Sequence, residues 1–323
     1  MKFPTISFFT RRAKGGGTKC VVALSSQGVH FAQVKFVGGR PQVTQYAYRQ
    51  LEGSKSTSIT PPVLEKIRKS LHIGEIQFST VLASGEYQLL QVDAPNVPEE
   101  EMKAAVRWNI KDMLSYHVDD AALDVLRIPG NQNAGDRKKS IYVVVASHDL
   151  IKKRSQLFQR ANLNLRVIDI PEMAQRNIAA LFEHEGRALA LLAFDESGGL
   201  LTFTSGGELC LARRIEISAG QLQDANESIR QQYFDRLELE LQRSLDHFER
   251  QFSHLSVRRI LVSAPDQTGV AEKLSSSLDL QVERLDLSEV MDISAVPELA
   301  GDETRAYALH AIGAALRQEG GAA

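Results

Sequence analysis

Residues 20–39 read CVVALSSQGVHFAQVKFVGG, and residues 189–207 read LALLAFDESGGLLTFTSGG. Each stretch contains an apolar run, a short turn with serine and glycine, a second apolar run and a Gly-Gly pair. A third run of similar character follows each pair, at residues 42–48 and 208–217. Runs rich in Val, Leu and Phe that are bounded by Gly and Ser indicate β-strands joined by hairpins. The sequence therefore predicts a three-stranded meander near residue 20 and another near residue 190.

The two meanders lie about half a chain apart, which indicates a duplicated domain rather than a solenoid of many short repeats. A chain of 323 residues is long enough for two domains, each with its own core. Helical and strand-like patterns alternate around both meanders. The predicted fold class is therefore α/β with mixed sheets.

The composition is that of an ordinary globular protein, with 43% hydrophobic and 24% charged residues and a net charge of −2. This charge provides no global attraction to nucleic acid. The basic pairs Arg213-Arg214 and Arg258-Arg259 are interpreted as solvated charge at strand ends, because no basic stripe accompanies them. No apolar run reaches the roughly 18 residues of a membrane span. We expect a cytoplasmic protein.

The remaining side-chain chemistry is sparse. The two cysteines, Cys20 and Cys210, fall inside predicted strands and form no Cys-x-x-Cys motif. We expect free buried thiols in a reducing compartment. The eight histidines include no His-x-x-x-His pair, so we expect no metal site.

A helix is predicted to begin at residues 95–101, PNVPEEE, because proline and acidic side chains favour the first helical turn. The pattern extends it to about His117. Its apolar stripe consists of Met102, Val106, Ile110, Met113 and Leu114. Trp108, the only tryptophan, lies on the opposite face. Either this face packs on a neighbouring element of the chain, or Trp108 anchors a partner protein, since aromatic residues are enriched at interface hot spots.

The turn inside each meander is a candidate phosphate site, because successive backbone N–H groups of a tight turn bind anions. Two such turns facing each other across a cleft would hold a nucleotide. Hydrolysis also needs a carboxylate at the end of the first strand to hold Mg²⁺ or orient water. The first copy has Ala23, Leu24 and Ser25 there, whereas the second copy has Asp195 and Glu196. Only the second turn therefore has the acidic residue that a complete nucleotide site needs, so the residues provide half of such a site.

Three stretches resemble helices of a known family. Residues 95–108, PNVPEEEMKAAVRW, resemble the VPEEEL…AIRWE helix of the family's inserted subdomain. Residues 239–249, LELQRSLDHFE, resemble its EIQRSLDYYE helix, and residues 305–317, RAYALHAIGAALR, resemble its C-terminal AIGLALR helix. By these motifs the chain is similar, over nearly all of residues 20–318, to the actin-like pilus-biogenesis proteins of the PilM group. The similarity is greatest to the MshI branch of mannose-sensitive haemagglutinin (MSHA) pili.

The resemblance implies an α/β, actin-like fold, the duplicated ribonuclease H-like (ASKHA) two-domain architecture with an inserted subdomain of the FtsA/PilM type. The expected division begins with a flexible tail at residues 1–19. The first actin-like domain spans 20–170, with the insertion at about 86–147. The second spans 171–302, and a C-terminal helix at 303–318 returns to the first domain.

The nucleotide motifs of the family are altered here. The first phosphate loop, IDIGSSSVK, corresponds to residues 22–30, VALSSQGVH, where Ala23 replaces Asp and Ser25 replaces Gly. The second loop, DIGAS, corresponds to residues 195–199, and the adenosine-side SGGGA corresponds to residues 263–267, SAPDQ. The resemblance thus implies a pseudo-ATPase with no catalytic residue, no required cofactor and no metal. If ATP and Mg²⁺ are still bound, the candidate residues are Ser25, Ser26, Gln27, Asp195, Ser197, Gly198, Arg243 and Ser244.

By resemblance, the protein is a cytoplasmic scaffold associated with the inner membrane, in the assembly complex of a type IV, MSHA-like pilus. Its expected partner is the cytoplasmic N-terminal tail of a PilN-like membrane protein of the MshJ type. The expected groove lies between the first domain and the insertion that carries Trp108. The partner provides the contact with the membrane and, indirectly, with the pilus assembly ATPase.

Two other functions stay open. The first is an ATP-binding conformational switch in the same complex, with Asp195, Ser197 and Gly198 on the phosphates and Arg243 and Ser244 near the nucleotide. The second is a sugar or acetate kinase of the same fold. The missing acid of the first loop and the missing glycines after residue 263 argue against the kinase.

Overall fold

In the computed structural model, two five-stranded sheets, a three-stranded sheet and eight α-helices make up the described part of the chain. The described residues are 18–25, 28–50, 59–71, 76–129, 140–195 and 198–317. The expected tail therefore lies outside them, except for residues 18 and 19. Among the described residues, no helix combines the length and the apolar character needed to cross a membrane.

The first meander is confirmed. Its antiparallel strands are β1 (Lys19–Leu24), β2 (Gly28–Val37) and β3 (Arg40–Gln50). Gly38 and Gly39 form the two-residue turn between β2 and β3 with positive φ angles of 59° and 86°. Hairpin turns of this kind need positive φ at both positions, which explains the Gly-Gly pair. After helix α1 (Pro61–Ser70), strand β4 (Gln77–Val81) runs parallel to β1.

A separate module follows β4. Its antiparallel sheet has the order β5–β7–β6, built from β5 (Gln88–Asp93), β6 (Ala121–Arg127) and β7 (Ser140–Ser147), with helix α2 (Glu99–Ile110) between β5 and β6. Alternate residues of β7 face opposite sides. Val143 and Val145 pack under α2, whereas Tyr142 and Val144 pack towards the rest of the chain. Burial on both faces explains why β7 has an almost uninterrupted apolar sequence.

Helix α2 ends at Ile110, so its predicted extension to about His117 is wrong. A single 3₁₀ turn follows at Lys111–Met113, and Leu114 is extended. Arg107 donates a hydrogen bond to the carbonyl of Val118, which holds the following segment against the helix. Leu114, Tyr116 and Val118 thereby join the apolar cluster beneath α2. A continuing helix would point away from this cluster and would lose that burial.

The chain then completes the first sheet. Helix α3 (His148–Arg160) leads to β8 (Asn164–Asp169), which pairs in parallel with β4. The strand order of this sheet is β3–β2–β1–β4–β8. Helix α4 (Pro171–Phe182) follows directly.

The second half repeats this topology. Its sheet has the order β11–β10–β9–β12–β13, again three antiparallel strands followed by two parallel ones. The duplication inferred from the two meanders is thus confirmed. The elements in chain order are β9 (Ala188–Asp195), β10 (Gly198–Ser205), β11 (Glu208–Ile215), α5 (Ala219–Leu222), α6 (Glu227–Gln251), β12 (Val257–Ser263), α7 (Val270–Ser277) and β13 (Gln281–Arg284).

The final helix, α8 (Asp302–Ala315), packs against α4 and against β1 and β2 of the first sheet. One apolar cluster includes β1, β9, α4 and α8 and therefore runs from one sheet to the other. The predicted boundaries after residues 170 and 302 coincide with the starts of α4 and α8. The division into domains stays a prediction, because the core continues across these boundaries.

Residues 286–302, predicted as an irregular acidic loop, contribute to this core. Leu287, Met291, Val296 and Leu299 are buried in the shared cluster. Asp292 also bonds to the edge of the first sheet: its N–H donates to the carbonyl of Pro41 at 2.9 Å, and its carbonyl accepts from the N–H of Val43 at 2.8 Å. The segment is irregular, as predicted, but it links the second half to β3.

Candidate functional site

The first turn is closed by its own hydrogen bonds. The backbone N–H of Ser25 donates to the carbonyl of Gly28 at 2.9 Å, and the N–H of Gly28 donates to Ser25 Oγ at 3.1 Å. A Cβ at Gly28 would lie 2.5 Å from the carbonyl oxygen of Arg49, so β3 leaves room only for glycine. The two described N–H groups of this turn thus point into the turn. The candidates Ser26 and Gln27 lie outside the described residues.

The second turn joins β9 to β10. Gly198 has a φ of 133°, and a Cβ there would lie 2.8 Å from the carbonyl oxygen of Ile215. Asp195, the last residue of β9, is 3.6 Å from His310 Nδ1, measured from Oδ2. The carboxylate that the sequence assigns to phosphate or metal chemistry is therefore in contact with a side chain of α8. Ser197 lies outside the described residues.

A histidine lies beside the altered position of the first turn. Ala23, which replaces an aspartate by the resemblance, pairs across the strands with His30. His30 is buried, stacks on Tyr48 with ring centroids 4.6 Å apart, and has Nδ1 3.0 Å from the Tyr46 hydroxyl. Burial, together with the charge of His310, lowers the pKa of His30 to about 4. At neutral pH the side chain beside Ala23 is therefore an uncharged imidazole, whereas by the resemblance the family has a carboxylate at the position of Ala23.

A magnesium ion does not fit these residues. Mg²⁺ prefers oxygen ligands, mainly carboxylates and waters. In the described ranges, no group of three or more His, Cys, Asp or Glu is arranged to hold a metal ion. Burial also lowers the pKa of His310, and Asp195 opposes this effect. The pair His310–Asp195 thus resembles a structural contact more than a metal site.

The burial of His30 predicts a pH-dependent stability. A histidine whose pKa is lower in the folded state stabilises the fold above its unfolded pKa, and this contribution is lost as pH falls towards the folded pKa. With an ordinary pKa of 6.5 and a folded value of about 4, we expect the free energy of unfolding to fall by about 2 kcal/mol between about pH 7 and about pH 4.5.

The measurement is urea unfolding at several pH values. His30→Gln should flatten the profile, whereas the exposed control His254→Gln should not. Identical slopes for wild type and His30→Gln would contradict the prediction.

The segment that corresponds to the adenosine-side motif follows β12, and the cleft beside it is small. The cleft lined by Val262, Ala264, Thr268 and Gly269 has room for only about 10 Å³, which corresponds to about one water molecule. Arg284 lies at its edge and pairs with Glu272 at 2.8 Å and with Asp302 at 2.5 Å. As arranged, this cleft is too small to enclose an adenine ring.

Arg243 and Ser244 have contacts within α6. Ser244 is buried and its hydroxyl donates to the carbonyl of Glu240 at 2.6 Å. Arg243 is exposed and lies 3.5 Å from the Glu240 carboxylate. These described contacts do not connect either residue with the two turns. Their role near a nucleotide stays a prediction.

Trp108 projects from α2 into solvent, with 71% of its surface exposed. The interpretation in which it packs on a neighbouring element of its own chain is therefore wrong. Met113, just beyond the helix, is 48% exposed. The module between β4 and α3 thus carries large apolar side chains that its own fold does not cover.

Neither a protein-family model nor a curated protein matches this sequence. Among solved structures, a PilM-PilN type IV pilus biogenesis complex aligns with 94% of this chain and 100% of that chain, with a TM-score of 0.69 and 17% identity. This chain has an actin-like fold. The cytoplasmic domain of EpsL, an inner-membrane component of the Vibrio cholerae type II secretion system, has a TM-score of 0.46, 13% identity and coverage of 85% and 87%. A Bacteroides thetaiotaomicron protein with an actin-like ATPase fold has a TM-score of 0.47, 10% identity and coverage of 88% and 96%.

The two halves of the actin-like fold are joined by polar contacts that the sequence did not predict. The Tyr87 hydroxyl lies 2.5 Å from the Glu172 carboxylate, and Arg214 Nη2 contacts both groups, at 2.5 Å and 3.2 Å. Tyr142 of β7 also accepts a hydrogen bond from the N–H of Ala212 in β11. Arg214, interpreted as solvated charge, is partly exposed as expected but is also paired with the buried Glu172. Its pairing with a carboxylate 42 positions away leaves no local sequence signal.

Both cysteines are free and buried, as predicted. Burial raises the pKa of Cys20, and it raises that of Cys210 to about 12. Since the thiolate is the reactive form, neither thiol is a candidate nucleophile at neutral pH.

Proposed function

We propose that this protein is a non-catalytic scaffold in the inner-membrane assembly complex of a type IV pilus, of the MshI type that serves MSHA pili. The observation that carries the proposal is the likeness to the PilM-PilN complex along the whole of that chain, with a TM-score of 0.69. The three helical motifs of the sequence support the same assignment. The partner in this proposal is a PilN- or MshJ-like protein, which connects the scaffold to the membrane and, indirectly, to the assembly ATPase.

The nucleotide region supports a scaffold without catalysis. In the first turn, Ala23 occupies the position where Mg²⁺ binding requires a carboxylate. The buried His30 lies beside it on the neighbouring strand. Asp195 of the second turn is in contact with His310. The cleft on the adenosine side has room for about one water. These three features are what support the proposal of a scaffold without ATP hydrolysis.

Binding of a fluorescent ATP analogue, with and without Mg²⁺, tests this part of the proposal. We expect no binding at nucleotide concentrations of about 1 mM. A Kd of about 1 µM, which corresponds to about −8 kcal/mol, would favour the ATP-binding switch instead. In that case Asp195→Ala should weaken binding, whereas Glu185→Ala, an exposed acid outside the turn, should not.

The partner surface includes the exposed face of α2. Aromatic side chains in the centre of an interface contribute much of its binding energy, and Trp108 is the largest exposed apolar side chain of the described residues. We place the partner's cytoplasmic tail beside this helix, in the groove between the inserted module and the first sheet.

The single tryptophan provides a direct test. A tryptophan-free peptide with the sequence of a PilN-like cytoplasmic tail is titrated into the full chain. We expect a blue shift of the Trp108 emission, because the exposed ring becomes covered. In a second assay with labelled peptide, Trp108→Ala should weaken binding by about 30-fold. Leu239→Ala, at an exposed apolar position of α6, is the control and should have no effect.

The outcomes separate two questions. If the peptide binds but Trp108→Ala has no effect, the scaffold proposal stands and the surface is misplaced. If the chain binds no such peptide, the scaffold proposal fails.

A further inference from the structure

A second cleft opens at the opposite edge of the second sheet from the turn at Asp195. It has a volume of about 180 Å³ and lies where β9, β12 and β13 begin. Its basic lining consists of His184, Arg187, Arg258 and Arg259, and its apolar lining includes Phe182 and Leu189. The pair Arg258-Arg259, whose sequence context indicated solvated charge, thus converges on a concave site.

An irregularity in β12 explains how two consecutive arginines line one cleft. In a regular strand, neighbouring side chains point to opposite faces. Here Val257 pairs with Ala188 and Ile260 pairs with Ala190, so β12 advances three residues while β9 advances two. The extra residue makes a β-bulge, a feature that redirects side chains and occurs often beside binding sites. The bulge contains Arg258 and Arg259.

The arginines differ in how firmly they are held. Arg259 Nη1 is 3.2 Å from Glu283, and its Nη2 donates to the carbonyl of Phe182 at 2.9 Å. Its Nε is buried and has no hydrogen-bond partner among the described residues. Arg187 and Arg258 are exposed and form no ion pair with any described side chain. The cleft thus combines one oriented guanidinium with two that are available to a ligand.

We propose that this cleft binds a phosphate group, either as a free phosphate or as the headgroup of an anionic phospholipid. Guanidinium groups present paired N–H donors that match phosphate oxygens. A volume of about 180 Å³ is far larger than the space of one water, yet the lining is compact rather than an extended peptide groove. The site is independent of the two turns and of the Trp108 surface.

The experiment uses the full chain and two ligand forms. Pyrophosphate is titrated calorimetrically, and flotation compares vesicles of phosphatidylcholine alone with vesicles that also contain phosphatidylglycerol. We expect a pyrophosphate Kd below about 1 mM or flotation that requires phosphatidylglycerol. Arg258→Gln should weaken binding by about tenfold, and Arg187→Gln combined with it should abolish binding. Because both residues are exposed and form no ion pair with a described side chain, the variants should keep the wild-type melting temperature.

Arg213→Gln is the matched control, since it removes the same charge from an exposed arginine of the other basic pair. It should bind both ligands as the wild type does. Binding of pyrophosphate alone identifies a free phosphate as the ligand, and binding of vesicles alone identifies a headgroup. The proposal is overturned by the absence of both, by an equal loss in Arg213→Gln, or by an acidic peptide that displaces the phosphate ligand at lower concentration than pyrophosphate does.

Discussion

Replacing Arg317 with alanine is expected to destabilise the protein by about 3–5 kcal/mol. Arg317 follows α8, and its Nη1 lies 3.1 Å from Asp169 Oδ2 at the end of β8. The two side chains are 7% and 1% exposed, so the substitution leaves a carboxylate buried without its cation. Among the described residues, the other Asp169 oxygen accepts a neighbouring N–H, that of Ile170 at 2.9 Å. Desolvation of a carboxylate that has lost its ion-pair partner is the physical reason for the large effect.

Urea unfolding followed by far-ultraviolet circular dichroism measures this loss, because the only tryptophan is already exposed and reports unfolding poorly. Arg243→Ala is the control: its pair with Glu240 is exposed, and such pairs contribute at most about 1 kcal/mol. The double variant Asp169→Asn, Arg317→Met should recover part of the loss, since it removes both charges. If Arg317→Ala lowers the free energy of unfolding by less than about 1 kcal/mol, Arg317 does not compensate the buried charge of Asp169.

Substituting Gly313 with alanine should destabilise the protein by about 3 kcal/mol. A Cβ at this position of α8 would lie 2.1 Å from the carbonyl oxygen of Ala174 and 2.6 Å from its carbonyl carbon. Both atoms belong to the backbone of α4, so the two helices must separate. The higher helix propensity of alanine, about 1 kcal/mol, offsets only part of the overpacking cost. The strain lies at the centre of the core that both halves share.

The matched control is Gly220→Ala. Gly220 is also helical, and among the described atoms a Cβ there would meet only Ser218 Oγ, at 3.8 Å. This variant should be as stable as the wild type or slightly more stable. Thermal and urea unfolding of the two variants side by side decide the matter. Equal stability of Gly313→Ala and Gly220→Ala would mean that α4 and α8 are not packed as closely as described.

Much of the fold follows from local patterns. The meanders were predictable because hairpins require glycine at positive φ, as at Gly38 and Gly39, and because apolar runs form buried strands. Helix α6 was predictable from the regular spacing of Phe234, Leu237 and Leu241. The end of α2 was not predictable, since contacts with a segment further along the chain displace the local helical preference.

The candidate site was predicted in part. The sequence identified the two turns and the replacement of a carboxylate by Ala23. It did not predict that His30 would lie opposite Ala23, because that pair depends on the register of the β1–β2 hairpin. Nor did it predict that His310 would contact Asp195, because this contact forms only when α8 packs beside β9. The bulge that turns Arg258 and Arg259 into one cleft likewise depends on the pairing of β12 with β9.

The sequence by itself determined the duplicated meanders, most helices and the altered turns, because each depends on residues within a few positions of one another. Only the tertiary structure decided how the halves are joined. The Asp169–Arg317 pair spans 148 positions, and Tyr87 meets Arg214 across 127. Such contacts depend on where the sheets and helices bring the chain together, and burial then determines how much each charge contributes.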